Sequence, residues 1–153
     1  MIERVVDTRE YVSVLREIAE SGKVVSLRIA GSSMSPFLAH GRDYIYFTKP
    51  DRELRAGDMV FYQRRNGQYV MHRIYKVKPA GYYIVGDAQT EIEGPVSRDQ
   101  IFALITKVKR KDRIIQPGDF WWEFFEHVWI RMIPLRRPAV RLYAAVSKML
   151  HRT

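Results

Sequence analysis

Apolar and polar positions change their period twice along the 153-residue chain. Near the start, Tyr11, Val14, Leu15, Ile18 and Ala19 recur at helical spacing and predict an amphipathic helix. Asp7 with Glu10 three residues on forms a capping-box pattern at its beginning, and Gly22 supplies the stop. From about residue 24 to 116 the pattern shortens to runs rich in β-branched and aromatic residues: "VVSLRIA", "DYIYFTK", "DMVFYQR", "YVMHRIYKVK", "YYIVGD" and "IFALITKVKR". Glycine-bearing stretches separate them as turns ("HGRD", "RAGD", "RRNGQ", "PAGY", "EGPVSRD"), with "RRNGQ" reading as a tight hairpin. Short strands so closely connected predict a mainly β fold, a coiled antiparallel sheet or small barrel.

After "QPGD" the helical period returns. "FWWEFFEHVWIRMIP" holds three tryptophans and three phenylalanines, and Phe120, Trp121, Phe124, Phe125, Val128, Trp129 and Met132 fall on one stripe with Trp122 beside it. Pro134 ends that helix, and "LRRPAVRLYAAVSKMLHRT" reads as a second, basic amphipathic one. Three regions follow: an N-terminal helix (1–23), a β domain (24–116) and C-terminal aromatic and basic helices (117–153). Two roles for the last region stay open. Its helices cover the sheet, or they lie in the plane of a membrane with Arg136, Arg137, Arg141, Lys148 and Arg152 facing anionic lipid. A membrane span is not expected, because Glu123, Glu126, His127 and Arg131 interrupt the apolar run.

Composition narrows the partners. A chain 46% apolar and 28% charged suits one compact domain rather than a disordered one. It has no cysteine, which excludes disulfides and thiolate metal sites. The net charge of +9 admits nucleic acid, an anionic membrane surface or an acidic substrate. Nucleic acid is not expected: the strands lack the interleaved aromatic and basic pattern of an RNA-binding sheet, and 23 residues are too few for a helix-turn-helix domain. No His, Asp or Glu cluster has zinc spacing, and no glycine-rich loop has the phosphate-cradle pattern, so neither metal nor cofactor is expected. The N-terminal stretch has no apolar run of signal-peptide or span length, so the expected location is cytoplasmic, with peripheral contact to an anionic membrane through residues 120–152 left open.

One polar turn stands out. "GSSMSP", residues 31–36, sets three hydroxyls around a methionine between two strand-like runs. A serine attacks only with a base in hydrogen-bond reach and donors for the oxyanion. Of the four histidines, His127 and His151 lie in the aromatic and basic tail, and His40 in the turn "AHGRD" reads as a solvated turn residue. His72 lies mid-strand, where alternation places Val70, His72 and Ile74 on one face and Met71, Arg73 and Tyr75 on the other. Asp87, Glu91 and Glu93 follow in "GDAQTEIE" as acids able to orient an imidazole, although Asp87 after Gly86 equally suits a turn.

In order and spacing, "GSSMSPFLAHGRDYIYF", "GDMVFYQ", "YVMHRIYKV", "YYIVGDAQTEIEGPV" and "IFALITKV" resemble the signal peptidase superfamily, which also holds the self-cleaving SOS-type repressors. The resemblance spans roughly residues 24 to 110. Its most specific element is Gly-x-Ser-Met-x-Pro, present as Gly31, Ser33, Met34 and Pro36; Ser32 and Ser35 occupy variable positions. The pair His72-Arg73 resembles the branch whose base is histidine rather than lysine. That branch also carries a Gly-Asp motif with a second acid six positions on, here Asp87 and Glu93, a glutamate where aspartate is usual.

The resemblance implies a signal-peptidase-type fold and a serine endopeptidase that cuts a leader or signal-like peptide. Ser33 would be the nucleophile and His72 the general base, with Asp87 or Glu93 holding the imidazole. The Ser33 amide and a neighbouring donor in the Gly31, Ser32, Met34, Pro36 turn would meet the oxyanion. The expected partner is a peptide or small protein with small residues near the cleavage site, bound as an added strand. The alternative is a catalytically inactive peptide-binding or regulatory module on the same fold.

Overall fold

The computed structural model describes residues 8–150, so the Asp7 cap and His151 lie outside the described residues. Helix α1 (Thr8–Glu20) leads into eight strands: β1 (Val25–Arg28), β2 (Tyr44–Thr48), β3 (Met59–Gln63), β4 (Tyr69–Lys78), β5 (Gly81–Val85), β6 (Glu93–Val96), β7 (Ile101–Arg110) and β8 (Arg113–Ile115). The C-terminal region holds a short helix α2 (Phe120–Glu123), a π-helical turn Phe124–Val128, two 3₁₀ turns, and helix α3 (Arg136–Leu150). No described helix is long and apolar enough to cross a membrane.

The strands form one antiparallel sheet in the order β1-β2-β7-β3-β4-β5-β6, with β8 folded back on β7. It is open, since β1 and β6 end the path and do not pair with each other. The barrel alternative is thereby corrected. Both edges are four-residue strands, and β6 carries Pro95, which blunts an edge by removing a backbone donor. Register shifts at Tyr46/Phe47, Phe61/Tyr62 and Ile74/Lys76 supply the bulges that bend the sheet. Two strands fall outside the six apolar runs. "EGPV" has the composition of a turn yet pairs with β5, and β8 forms through a turn in which Lys111 and Asp112 take positive φ of 50° and 64°.

Both sheet faces are buried at its centre. One face gathers Met59, Phe61, Phe102 and Ile105 with Val12, Leu15 and Ala19 of α1 and with Trp122, Phe125 and Trp129. The other gathers Val60, Tyr62, Ile74, Ile84 and Leu104 around Leu54. The buried stripe of α1 is therefore Val12, Leu15 and Ala19, while Val14 and Ile18, expected inside, are exposed. Gly22 stops the helix as expected, at φ +91° with its amide on the Ala19 carbonyl.

The aromatic segment is likewise rotated from its expected stripe. Trp122, Phe125, Glu126, Trp129 and Ile130 are buried, whereas Phe120, Trp121 and Val128 face outward. The segment's first turns thus cover the sheet, with Phe37 edge-on to Trp122 and 4.7 Å from Phe125 between ring centroids. Arg136, expected to face lipid, is fully buried: it donates to the carbonyls of Gly86, Gln89 and Trp129. Trp122→Ala is expected to lower unfolding stability by about 3–5 kcal/mol, and Trp121→Ala by well under half of that, in urea denaturation; a larger loss for Trp121→Ala would mean the expected stripe was the packed one.

Candidate functional site

The "GSSMSP" turn is built from its anchors outward. Gly31 adopts φ +91° with open space where a Cβ would stand, so glycine is there for its backbone. The Ser35 amide closes the turn on the Ser32 carbonyl at 3.0 Å. Met34, Phe37 and Leu38 are buried in the core, which leaves Ser33 half-exposed on its rim. His40 does more than sit in solvent: its Nδ1 accepts the Gly31 amide at 2.7 Å. Asp43, buried at the turn's exit, accepts the amides of Ala39 and Lys111 and the Arg42 guanidinium. Burial opposes its charge, but those hydrogen bonds prevail and hold its carboxyl below the ordinary range.

Ser33 and His72 line one cleft of ≈ 510 Å³. One wall is the exit of β1, Arg28 to Gly31, and the other is the first half of β4, Tyr69 to His72. That half pairs with β3 on one side, while β5 joins the other side only from Arg73 onward. The cleft therefore lies between two strand edges with free backbone groups. A second cleft, of ≈ 630 Å³ and lined by Glu91 and Glu93, meets the first at His72, Arg64 and Gln89.

The loop after β5 sits directly on the serine. A Cβ on Gly86 would come within 2.6 Å of the Ser33 carbonyl oxygen, and the Ala88 amide donates to that oxygen at 2.9 Å. The C-terminal segment holds the loop from behind, through Trp129 Nε1 on the Asp87 carbonyl at 2.7 Å and Arg136 on the carbonyls of Gly86 and Gln89. Among the described residues the amides of Ser33 and Met34 donate to no acceptor.

The two candidate acids separate. Asp87 is fully buried, and its oxygens accept Arg73 Nε at 2.9 Å and Nη2 at 3.0 Å. Arg73 lies on the face of β4 opposite His72, so Asp87 serves the arginine rather than the imidazole. Glu93 lies on the His72 side. It accepts the Tyr62 hydroxyl at 2.9 Å and Arg64 at 2.7–3.1 Å, and its carboxyl is held low by these bonds against the opposing effect of burial. Glu91 is exposed.

Burial above all, helped by the Arg64 charge and opposed by Glu93, pushes His72 down to about 4. Its ring makes no hydrogen bond among the described residues and stands 6.5 Å from the Tyr62 ring between centroids. At neutral pH the imidazole is uncharged and able to accept a proton. Arg64 and Tyr62 were not singled out from the sequence, yet alternation held the signal: Val60, Tyr62 and Arg64 share a face, and Val60 pairs with His72.

The structure also brings together a group that spacing did not flag. Ligand atoms of Glu123, Glu126 and His127 lie within 4.8 Å of one another. They engage protein partners: His127 Nε2 is 3.0 Å from Glu123 Oε2, and the Gly118 amide donates to Glu123 Oε1.

Comparison with known protein families, with characterised proteins and with solved structures finds no match. The chemistry of the site is therefore carried by its own residues.

Two outcomes follow from the geometry. Asp87→Asn strands the buried Arg73 guanidinium and is expected to remove about 3–5 kcal/mol of stability, whereas Glu93→Gln, at a third-exposed pair, is expected to remove about 1 kcal/mol or less; guanidinium denaturation compares them. Between pH 6.5 and about 4 the unfolded chain binds a proton that folded His72 refuses. Stability is therefore lost as pH falls through that window, by about 3 kcal/mol relative to His72→Asn, which does not titrate. Parallel stability–pH curves for the two proteins would contradict the assignment.

Proposed function

We propose that the protein is a serine endopeptidase of the signal-peptidase type, with Ser33 as nucleophile and His72 as general base. The observation that carries the reading is that these two side chains line one cleft between two free strand edges. An extended peptide entering the cleft would add main-chain hydrogen bonds to the exit of β1, to the first half of β4, or to both, and side chains at alternate positions would meet the walls. Arg28 and Arg64 among the lining residues favour a peptide with acidic groups near the reacting bond.

In the proposed reaction His72 takes the Ser33 proton as Oγ attacks the carbonyl carbon, and the free amides of Ser33 and Met34 receive the developing oxyanion. Glu93 answers the imidazolium through its charge, and Arg64 and Tyr62 hold Glu93 in place. The proton then passes from His72 to the leaving amine, and water releases the acyl group by the same base. Asp87 acts at one remove, by fixing the loop on which the Ser33 carbonyl rests.

A second reading, a peptide-binding module without catalysis, is supported by one observation: Glu93 is drawn onto Arg64 and Tyr62, and no acid among the described residues hydrogen-bonds the His72 ring. A fluorophosphonate probe separates the two. Labelling is expected at Ser33, located by mass spectrometry of the adduct, and is expected to be lost in Ser33→Ala and His72→Ala. Its rate should hold constant as pH falls to about 5 and reach half near pH 4, following the depressed His72. A folded protein that stays unlabelled yet binds acidic peptides equally well with Ser33→Ala would establish the module instead.

A further inference from the structure

From His127 onward the C-terminal region carries cations without anions. From His127 to the end of the sequence there is no Asp or Glu, whereas Arg131, Arg137, Arg141, Lys148 and Arg152 accompany the buried Arg136. Helix α3 has an apolar stripe at Leu142, Val146, Met149 and Leu150, each between 46% and 74% exposed, and no described residue covers it. Phe120 and Trp121 add exposed rings on the preceding segment.

A third cleft, of ≈ 550 Å³, lies between α3 and the β7–β8 turn. Rings of Trp121, Phe124 and Tyr143 line it together with three cations, Arg110, Lys111 and Arg113. Arg110 stacks its guanidinium over Trp121 at 5.3 Å, and its buried Nε has no hydrogen-bond partner. Arg110 Nη2 donates to the Pro36 carbonyl at 3.4 Å, and among the described residues none of the three cations has an ion-pair partner; rings beside such cations suit a molecule with an apolar chain and an anionic head. The cleft also shares Pro36 with the serine turn, so its wall and the candidate site belong to one short segment.

We propose that this face docks on an anionic lipid bilayer, with the α3 stripe in the acyl boundary, one lipid chain in the aromatic cleft and its phosphate on Arg110, Lys111 and Arg113. Charge selects this occupant. A second copy would set cations against cations, and a nucleic acid would leave the Leu and Met stripe in water. An amphipathic helix with a basic polar face binds membranes through buried apolar area plus attraction to anionic headgroups. The inference is independent of the peptidase reading, because it uses neither Ser33 nor His72.

The test is co-sedimentation of the full chain with vesicles of phosphatidylcholine alone, or of phosphatidylcholine and phosphatidylglycerol in equal parts. Binding is expected only to the mixed vesicles and is expected to weaken as salt rises. Leu142→Ser, Met149→Ser and Leu150→Ser combined should abolish it while leaving the melting temperature unchanged, since all three side chains are exposed. Arg110→Gln and Arg113→Gln should each reduce partitioning by about fivefold. Equal binding to both vesicle types would overturn the proposal, as would no binding to either. So would a lipid-free dimer, seen by light scattering, that the triple serine variant dissolves, because the stripe would then be a contact between copies.

Discussion

A guanidinium removed from water must have its donors answered by protein, and Arg73 draws its partners from distant segments. Its Nε and Nη2 meet both oxygens of Asp87, its Nη1 donates to the Gly57 carbonyl, and its carbon centre stands 5.6 Å from the Phe37 ring centroid. Four segments are drawn to one point: strand β4, the loop after β5, the loop before β3 and the helical turn after the serine motif. Removing either charge would leave the other buried and unpaired, so the arrangement has little freedom to relax.

From that point the contacts run outward to the candidate nucleophile. Asp87 fixes the loop Gly86–Gln89, the loop bonds the Ser33 carbonyl through the Ala88 amide, and the C-terminal segment closes over it with Trp129 and Arg136. Gly86 is required there because a side chain would collide with the Ser33 carbonyl oxygen. The serine turn is thus gripped by its backbone, by Met34 in the core and by His40 on Gly31, while its amides at Ser33 and Met34 have no acceptor among the described residues. A site that must hold a reacting group to a fraction of an ångström gains from support of this kind.

Strand geometry separates support from chemistry. Arg73 and His72 are neighbours in sequence but point to opposite faces of β4, so one anchors the loop while the other opens into the cleft. The cleft face has its own charges. Arg64 disfavours a second positive charge on His72 and Glu93 favours it, and with burial the balance leaves the imidazole neutral. In the proposed reaction the proton would arrive on His72 only as negative charge develops on the substrate.

Much of this was legible in the chain. Period-two runs bounded by glycine turns disclosed six of the eight strands, and the "GSSMSP" turn and His72 drew attention as candidates by residue type and position, their proposed roles resting on the resemblance to the signal peptidase superfamily. What stayed hidden depends on burial and pairing. "EGPV" looks like a turn because composition cannot tell an edge strand, where proline is tolerated, from a loop. Helical spacing showed that the aromatic segment has an apolar side but could not orient it, since rings surround that helix and only contact with Phe37 selects Trp122 over Trp121. Asp87 and Glu93 were equivalent acids on paper; the sheet divided them, giving one to Arg73 and the other to the His72 side. Arg136 read as a surface cation because a sequence does not reveal which backbone carbonyls lie in reach. Local pattern determines which residues can form strands, turns and reactive groups, whereas the partners that neutralise a buried charge come from distant segments, and only the folded chain brings them within hydrogen-bond distance.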